Sequence, residues 1–168
     1  YDDGALPIGH GQTISQPFVV AAMCELLRLE GGERVLDVGT GSGYAAAVLA
    51  EMGADVVSIE RLPALAEQAR AALDSAGYPD VEVRVGDGSL GAPDRAPFEA
   101  ITVAAAAPSI PEALAGQLAE GGRLVIPRGS RRSQVLVLVE RRSTGLVERA
   151  AMSCRFVPLV GAEGFRQP

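Results

Sequence analysis

Between Val35 and Tyr44 the chain reads Val-Leu-Asp-Val-Gly-Thr-Gly-Ser-Gly-Tyr, and few folds accept such a run. A short apolar stretch is followed by three glycines on alternate positions and then by the Ala-rich segment after Tyr44. This is strand, tight turn and helix in one passage. Glycine lets the backbone turn and approach a ligand closely, and a helix start offers free N–H groups. The rest of the chain repeats the pattern. Strands are predicted at 34–38, 55–59, 81–85, 98–103 and 123–126, with helices at 44–52, 63–76 and 110–119 between them. Such alternation predicts an α/β fold: a mostly parallel sheet with helices on both faces.

The two ends depart from this rhythm. Residues 1–14 hold Gly4, Pro7, Gly9 and Gly11 and read as a loop. A helix is predicted over 16–29, with Ser15 at its cap position, Pro17 in its first turn and Gly31–Gly32 as its stop. At the other end, 134–140 and 146–155 are strand-like runs on either side of a turn at 141–145, so the sheet is expected to finish with an antiparallel edge. The order of the last two strands stays open. With 168 residues the chain is one domain, 1–168. Within it, 1–30 is read as a loop and helix covering substrate and cofactor, 31–130 as the cofactor-binding core, and 131–168 as the C-terminal strands.

Composition narrows the function classes. The net charge is −6, and all fifteen cations are Arg, which argues against a nucleic-acid partner. The longest apolar runs, such as 18–24, are far below the ~20 residues of a membrane span. Cys24 and Cys154 are the only cysteines and His10 the only histidine, so neither a disulfide framework nor a metal cluster is expected. The chain reads as cytoplasmic.

The turn also discriminates among ligands. A nicotinamide-binding turn prefers a third glycine where Tyr44 stands. Asp37, two residues before Gly39, would repel a pyrophosphate but suits an ammonium or sulfonium. Both features favour S-adenosylmethionine. Glu60 ends the second strand, where an acid can accept both ribose hydroxyls; its plainer reading is an ion pair with Arg61. Asp87, in Gly86-Asp87-Gly88, follows the third strand and can accept from an adenine amino group; its plainer reading is an Asp-Gly turn.

Several further segments carry a family resemblance: Leu6–Pro17 (Leu-Pro-Ile-Gly-His-Gly-Gln-Thr-Ile-Ser-Gln-Pro), the glycine run, Ser58-Ile59-Glu60-Arg61, Gly86-Asp87-Gly88, Ala96-Pro97-Phe98, Gly121–Pro127 and Arg155–Leu159. Taken in order, they make the chain similar to the protein-L-isoaspartate O-methyltransferases. Thr13-Ile14-Ser15 and the Phe156–Leu159 ending are the most specific of them. Glu99 stands where that family has Asp, and the family carries a further helical region ahead of the equivalent of Tyr1.

The resemblance implies a Rossmann-like methyltransferase fold with a seven-stranded sheet. It also implies methyl transfer from S-adenosyl-L-methionine, with S-adenosyl-L-homocysteine as product, to the α-carboxyl of L-isoaspartyl residues in damaged proteins. Isoaspartyl proteins and peptides are then the partners, a monomer the expected state, and no metal is needed. Carried onto this sequence, Asp37, Gly39, Thr40, Gly41, Ser42, Gly43, Glu60, Arg61, Asp87 and Gly88 bind the cofactor. Ser15 and Thr13 serve catalysis, with Ser15 positioning the acceptor carboxylate. Ile14 and Ser15 line the substrate. From the residues themselves, the small side chains of Val103–Ala107, Val103, Ala104 and Ala105 among them, are read as a wall along which a peptide main chain can lie, completed by Phe156–Leu159; the plainer reading of both stretches is core packing. Two alternatives remain at this stage: a related carboxylate O-methyltransferase acting on aspartate of a maturing peptide, and a non-catalytic S-adenosylmethionine-binding domain.

Overall fold

The computed structural model describes residues 16–166 and the backbone of two short preceding strands. Those strands, β1 (Pro7–Gly9) and β2 (Gln12–Thr13), pair antiparallel. Two stretches expected as loop are thus paired strands ahead of the first helix.

The main sheet has seven strands in the order β5-β4-β3-β6-β7-β8-β9: β3 (Arg34–Val38), β4 (Asp55–Glu60), β5 (Glu82–Val85), β6 (Phe98–Val103), β7 (Leu118–Gly129), β8 (Gln134–Arg142) and β9 (Gly145–Cys154). The strands from β5 to β7 are parallel, and β8 and β9 are antiparallel to their neighbours. The open question of strand order is resolved: β8 pairs with β7, and β9 is the edge.

Side chains alternate across the pleat and build two cores. Leu36, Val38, Val57, Ile59, Ile101 and Val103 face the side of α4 (Glu112–Gly116). Val35, Val56, Ala100 and Val125 face α1 (Pro17–Leu27), α2 (Tyr44–Glu51) and α3 (Pro63–Ala76). Each such buried Val, Leu or Ile side chain contributes roughly 1.5–3 kcal/mol. Among the described residues no helix is long and apolar enough to cross a membrane.

Three local expectations are corrected. Helix α1 begins with Pro17 in its first turn, as read, but its cap residue is Gln16, and it stops at Arg28. Arg28 itself takes the left-handed conformation (φ 52°), and Gly31–Gly32 instead make the turn into β3. Helix α4 is half the expected length. Its end is captured early, because Gln117 accepts from Phe98 N–H through its carbonyl while its side chain bonds Ala92 N–H and the Leu90 carbonyl. Strand β7 accordingly starts at Leu118, with an irregularity between its pairings to Phe98 and Ala100.

Candidate cofactor and substrate site

The site forms where β3, β4, β5 and β6 end. Gly39, Gly41 and Gly43 all have positive φ (96°, 54° and 84°), which an L side chain adopts only with strain. Gly43 is also fixed by packing, since a Cβ there would lie 3.1 Å from Leu73 Cγ of α3. The turn therefore needs glycine at these points whether or not a ligand is present.

The N–H groups of the turn are largely committed. Those of Gly39 and Thr40 both donate to the Ile59 carbonyl (2.8 and 3.3 Å), that of Gly41 to Glu60 Oε2 (3.0 Å), and that of Gly43 to the Thr40 carbonyl (2.8 Å). A phosphate nest requires such groups to point outward. Here they point into the fold. The arrangement suits a cofactor without phosphate, and the acids around it suit a cationic one.

Glu60, 7% exposed, accepts one N–H at each carboxylate oxygen: Gly41 at Oε2 and Leu62 at Oε1 (3.0 Å). Each oxygen keeps a second acceptor direction, enough for a pair of ribose hydroxyls. Arg61 is exposed, and Glu60 makes no ion pair with it.

Asp37 is fully buried, with no cation beside it among the described residues. Its Oδ2 accepts from Ser58 Oγ (2.6 Å), and Oδ1 has no partner among the described residues. Burial pushes its pKa up to about 6; the Ser58 hydrogen bond opposes that rise, and the Glu60 charge adds to it. Beside it lies a cavity of about 20 Å³, room for one water-sized molecule, bounded by Met23, Cys24, Leu49, Thr102 and Ala104 among others. At 0% exposure Asp37 offers a ligand no direct hydrogen bond, and only its field reaches past the turn.

Asp87 is engaged by the chain itself. Its Oδ1 accepts from Ser89 N–H and Oγ (2.9 and 2.7 Å), and Oδ2 accepts from Ala162 N–H (2.7 Å). Burial acts to raise its pKa, but these hydrogen bonds prevail and hold it below the ordinary carboxylate range. One acceptor direction remains on Oδ2. Gly88 is dictated by packing, since a Cβ there would collide with Val38.

The residues expected along the substrate divide. Val103 and Ala105 are buried in the core, whereas Ala104 is half-buried and faces Gly39. Phe156 is half-buried, and the segment it opens joins the end of β6: Ala106 N–H donates to the Val157 carbonyl (2.8 Å), and Leu159 N–H to the Ala106 carbonyl (2.7 Å). The two stretches that the sequence reading joins into one candidate wall are thus hydrogen-bonded neighbours. Ile14 and Ser15 lie outside the described residues. Thr13 lies in β2, and its side chain is likewise outside them.

Two buried residues were missed by sequence reasoning. Ser58 joins Thr40 to Asp37, and its signal was a lone hydroxyl at an inward position of an apolar strand. Gln134, 4% exposed, clasps Phe156 by accepting from its N–H (2.7 Å) and donating to its carbonyl (3.1 Å). At the head of a strand it gave no local signal. Among the described residues, no group of three or more His, Cys, Asp and Glu side chains is placed to hold a metal ion.

Known proteins share this sequence and fold. The family model for protein-L-isoaspartate(D-aspartate) O-methyltransferase matches residues 1–164. Protein-L-isoaspartate O-methyltransferase 1 of Rhodopseudomonas palustris (strain HaA2) is 57% identical over 98% of this chain and 68% of its own length. Protein-L-isoaspartate O-methyltransferase 2 of Marinobacter nauticus is 56% identical over 98% and 76%. A solved protein-L-isoaspartate O-methyltransferase superposes with a TM-score of 0.86 at 33% identity, covering 98% of this chain, which spans about half (52%) of that one. A Plasmodium falciparum candidate of the same name, in complex with S-adenosyl-L-homocysteine, gives 0.81 at 28% identity, covering 95% and 81%. By sequence and by fold, the chain belongs to the protein-L-isoaspartate(D-aspartate) O-methyltransferase family.

Proposed function

We propose that the turn Gly39–Gly43, with Asp37, Glu60, Arg61, Asp87 and Gly88, holds the S-adenosylmethionine of this methyltransferase, and that the wall at Ala104 and Phe156 receives the isoaspartyl peptide. As in its family, the reaction moves a methyl group to the α-carboxyl of an L-isoaspartyl residue. The observation that carries the site assignment is the inward commitment of the turn's N–H groups beside two buried acids, Asp37 and Glu60. This donor set disfavours an anionic dinucleotide and favours a cation with a ribose.

Bound S-adenosylmethionine supplies an electrophilic methyl on a sulfonium. The acceptor carboxylate, with a reference pKa near 4, is ionised at neutral pH, so the site needs no general base. The task left to the chain is alignment, worth up to roughly 7–11 kcal/mol when reacting atoms are held in line. Ser15 and Thr13 are assigned to holding that carboxylate, and Ile14, Val103 and Ala105 to shaping the wall. Within 1–168 we assign 1–30 to covering substrate and cofactor, 31–130 to the cofactor-binding core and 131–168 to the C-terminal strands. Two free thiols accord with a cytoplasmic setting.

The test offers the protein methyl-labelled S-adenosylmethionine with isoaspartyl and aspartyl versions of one peptide. Base-labile methyl ester on the isoaspartyl peptide alone is expected. Equal labelling of both would replace repair by a general carboxylate methyltransferase. Binding without transfer would leave a non-catalytic domain.

A further inference from the structure

Three polar residues lie buried in one line beneath the cofactor turn. Ser58 on β4 stands in register with Asp37 on β3, and Asp37 in register with Thr102 on β6. Ser58 is 0% exposed, and both its bonding directions are used: toward Asp37 Oδ2 at 2.6 Å and toward Thr40 Oγ1 at 2.5 Å. An ionised carboxylate only accepts, so the single proton of Ser58 goes to Asp37. The Thr40 hydroxyl must then donate to Ser58. Thr40 is 4% exposed and stands between the first two glycines of the turn. Its hydroxyl is therefore turned inward, away from the cofactor side, for as long as Asp37 carries its charge.

We propose that Ser58 is a positioning residue for the cofactor, holding Thr40 and hence the Gly39–Gly43 turn to the Asp37 carboxylate. The proposal rests on the reading of this turn as the S-adenosylmethionine site. If Asp37 takes up a proton, the charge that draws the Ser58 proton is lost, and the hold on Thr40 weakens with it. The turn is then coupled to one titration. The charged or titratable groups facing Asp37 among the described residues are Glu60 from β4 and Cys24 from α1, whose thiol is pushed up by burial and by Asp37 itself. The cavity face of α2 offers only Ala45 and Leu49, and that of β6 only Thr102 and Ala104.

The experiment follows the Asp37 side-chain carboxyl by carbon NMR from pH 4 to 9 in the ligand-free protein, and S-adenosylmethionine affinity by calorimetry over the same range. It compares the native chain, Ser58→Ala and Ser58→Thr. Native Asp37 titrates near pH 6. Loss of the Ser58 hydroxyl should raise that midpoint by about one unit or more, the size expected for one hydrogen bond to a buried charge. Affinity in Ser58→Ala should fall at every pH, because the link to Thr40 is gone, and should fall by about a further threefold near pH 6.5, where the variant carries less of the Asp37 charge. Ser58→Thr, which keeps the hydroxyl, should restore both readings. A midpoint that does not move in Ser58→Ala overturns the proposal, as does an affinity at pH 8.5 equal to that of the native chain, or a loss of equal size at all pH values. Because the titration is read without cofactor, it decides the Ser58 chain even if the native protein fails to bind S-adenosylmethionine, a result that would sink the cofactor reading instead.

Discussion

Strands β4 and β9 belong to one sheet and treat polar residues in opposite ways. In β4, Ser58 and Glu60 are buried, and every oxygen of both side chains bonds a neighbour. In β9, Glu148, Arg149 and Ser153 face solvent, and no position of the strand is fully buried. The cause is position in the sheet. Strand β4 is covered on one side by the core of α1–α3 and on the other by the core that includes α4, whereas β9 is an edge. A polar group kept under two layers costs free energy unless it is bonded, so its presence calls for a reason. On an edge the same residue costs almost nothing and also discourages pairing with other chains.

The widest test of that contrast is a pair of truncations. Leu36→Ala, in the fully buried β3, should cost about 2–5 kcal/mol in denaturant unfolding. Leu146→Ala in β9, where Leu146 is 47% exposed, should cost less than about 0.5 kcal/mol. Comparable losses would break the comparison.

Asp37→Asn sharpens it. The folded pKa of about 6 lies above the ordinary 3.8, so the folded state takes up the proton first as pH falls. Stability from this group is therefore present below about pH 4 and lost as pH rises to about 6. At pH 7 the native chain bears a cost on the order of 3 kcal/mol, an upper bound, for keeping Asp37 charged. The Asn variant should unfold later at pH 7, show a flatter stability profile between pH 4 and 6, and bind S-adenosylmethionine more weakly. A variant that is less stable at pH 7 would remove the claim that this charge is retained for function.

A smaller effect is expected at Glu60. Glu60→Gln keeps the shape but offers one acceptor oxygen where two N–H groups and a ribose compete. S-adenosylmethionine affinity by calorimetry should drop about 10–100-fold, or about 1.4–2.7 kcal/mol. The least effect belongs to the edge. Glu148 pairs with Arg128 between exposed side chains, and Glu148→Ala should change stability by no more than about 1 kcal/mol, with that change fading in salt.

How far these regions could be read in advance follows the same division. The bounds of β3, α3 and β6 match the sequence expectation residue for residue: the two strands are buried apolar runs between turn signals, and in α3 Pro63 and Gly77 bracket the helical spacing of Leu65, Ala66, Ala69 and Leu73. The short α4 was not legible: its end is set by Gln117 reaching back to Leu90 and Ala92, a contact across 25 residues. The β1–β2 hairpin was hidden by its own Gly and Pro content, which local reasoning reads as loop. At the site, the acids at the strand ends were visible as a series. That Asp87 would be held by Ala162 and Ser89 was not, because it depends on where the C-terminal segment returns.

The amino-acid order by itself determined the βα rhythm, the glycine turn at Gly39–Gly43, the antiparallel close and the family, because each rests on local pattern and spacing. Only the tertiary structure decided which way the turn's N–H groups point, the burial of Asp37 in line with Ser58 and Thr102, the union of Ala106 with Val157 and Leu159, and β9 as the outer edge. These depend on strand register and on which face a helix covers, which bring together residues 20 to 75 positions apart and which no local window contains.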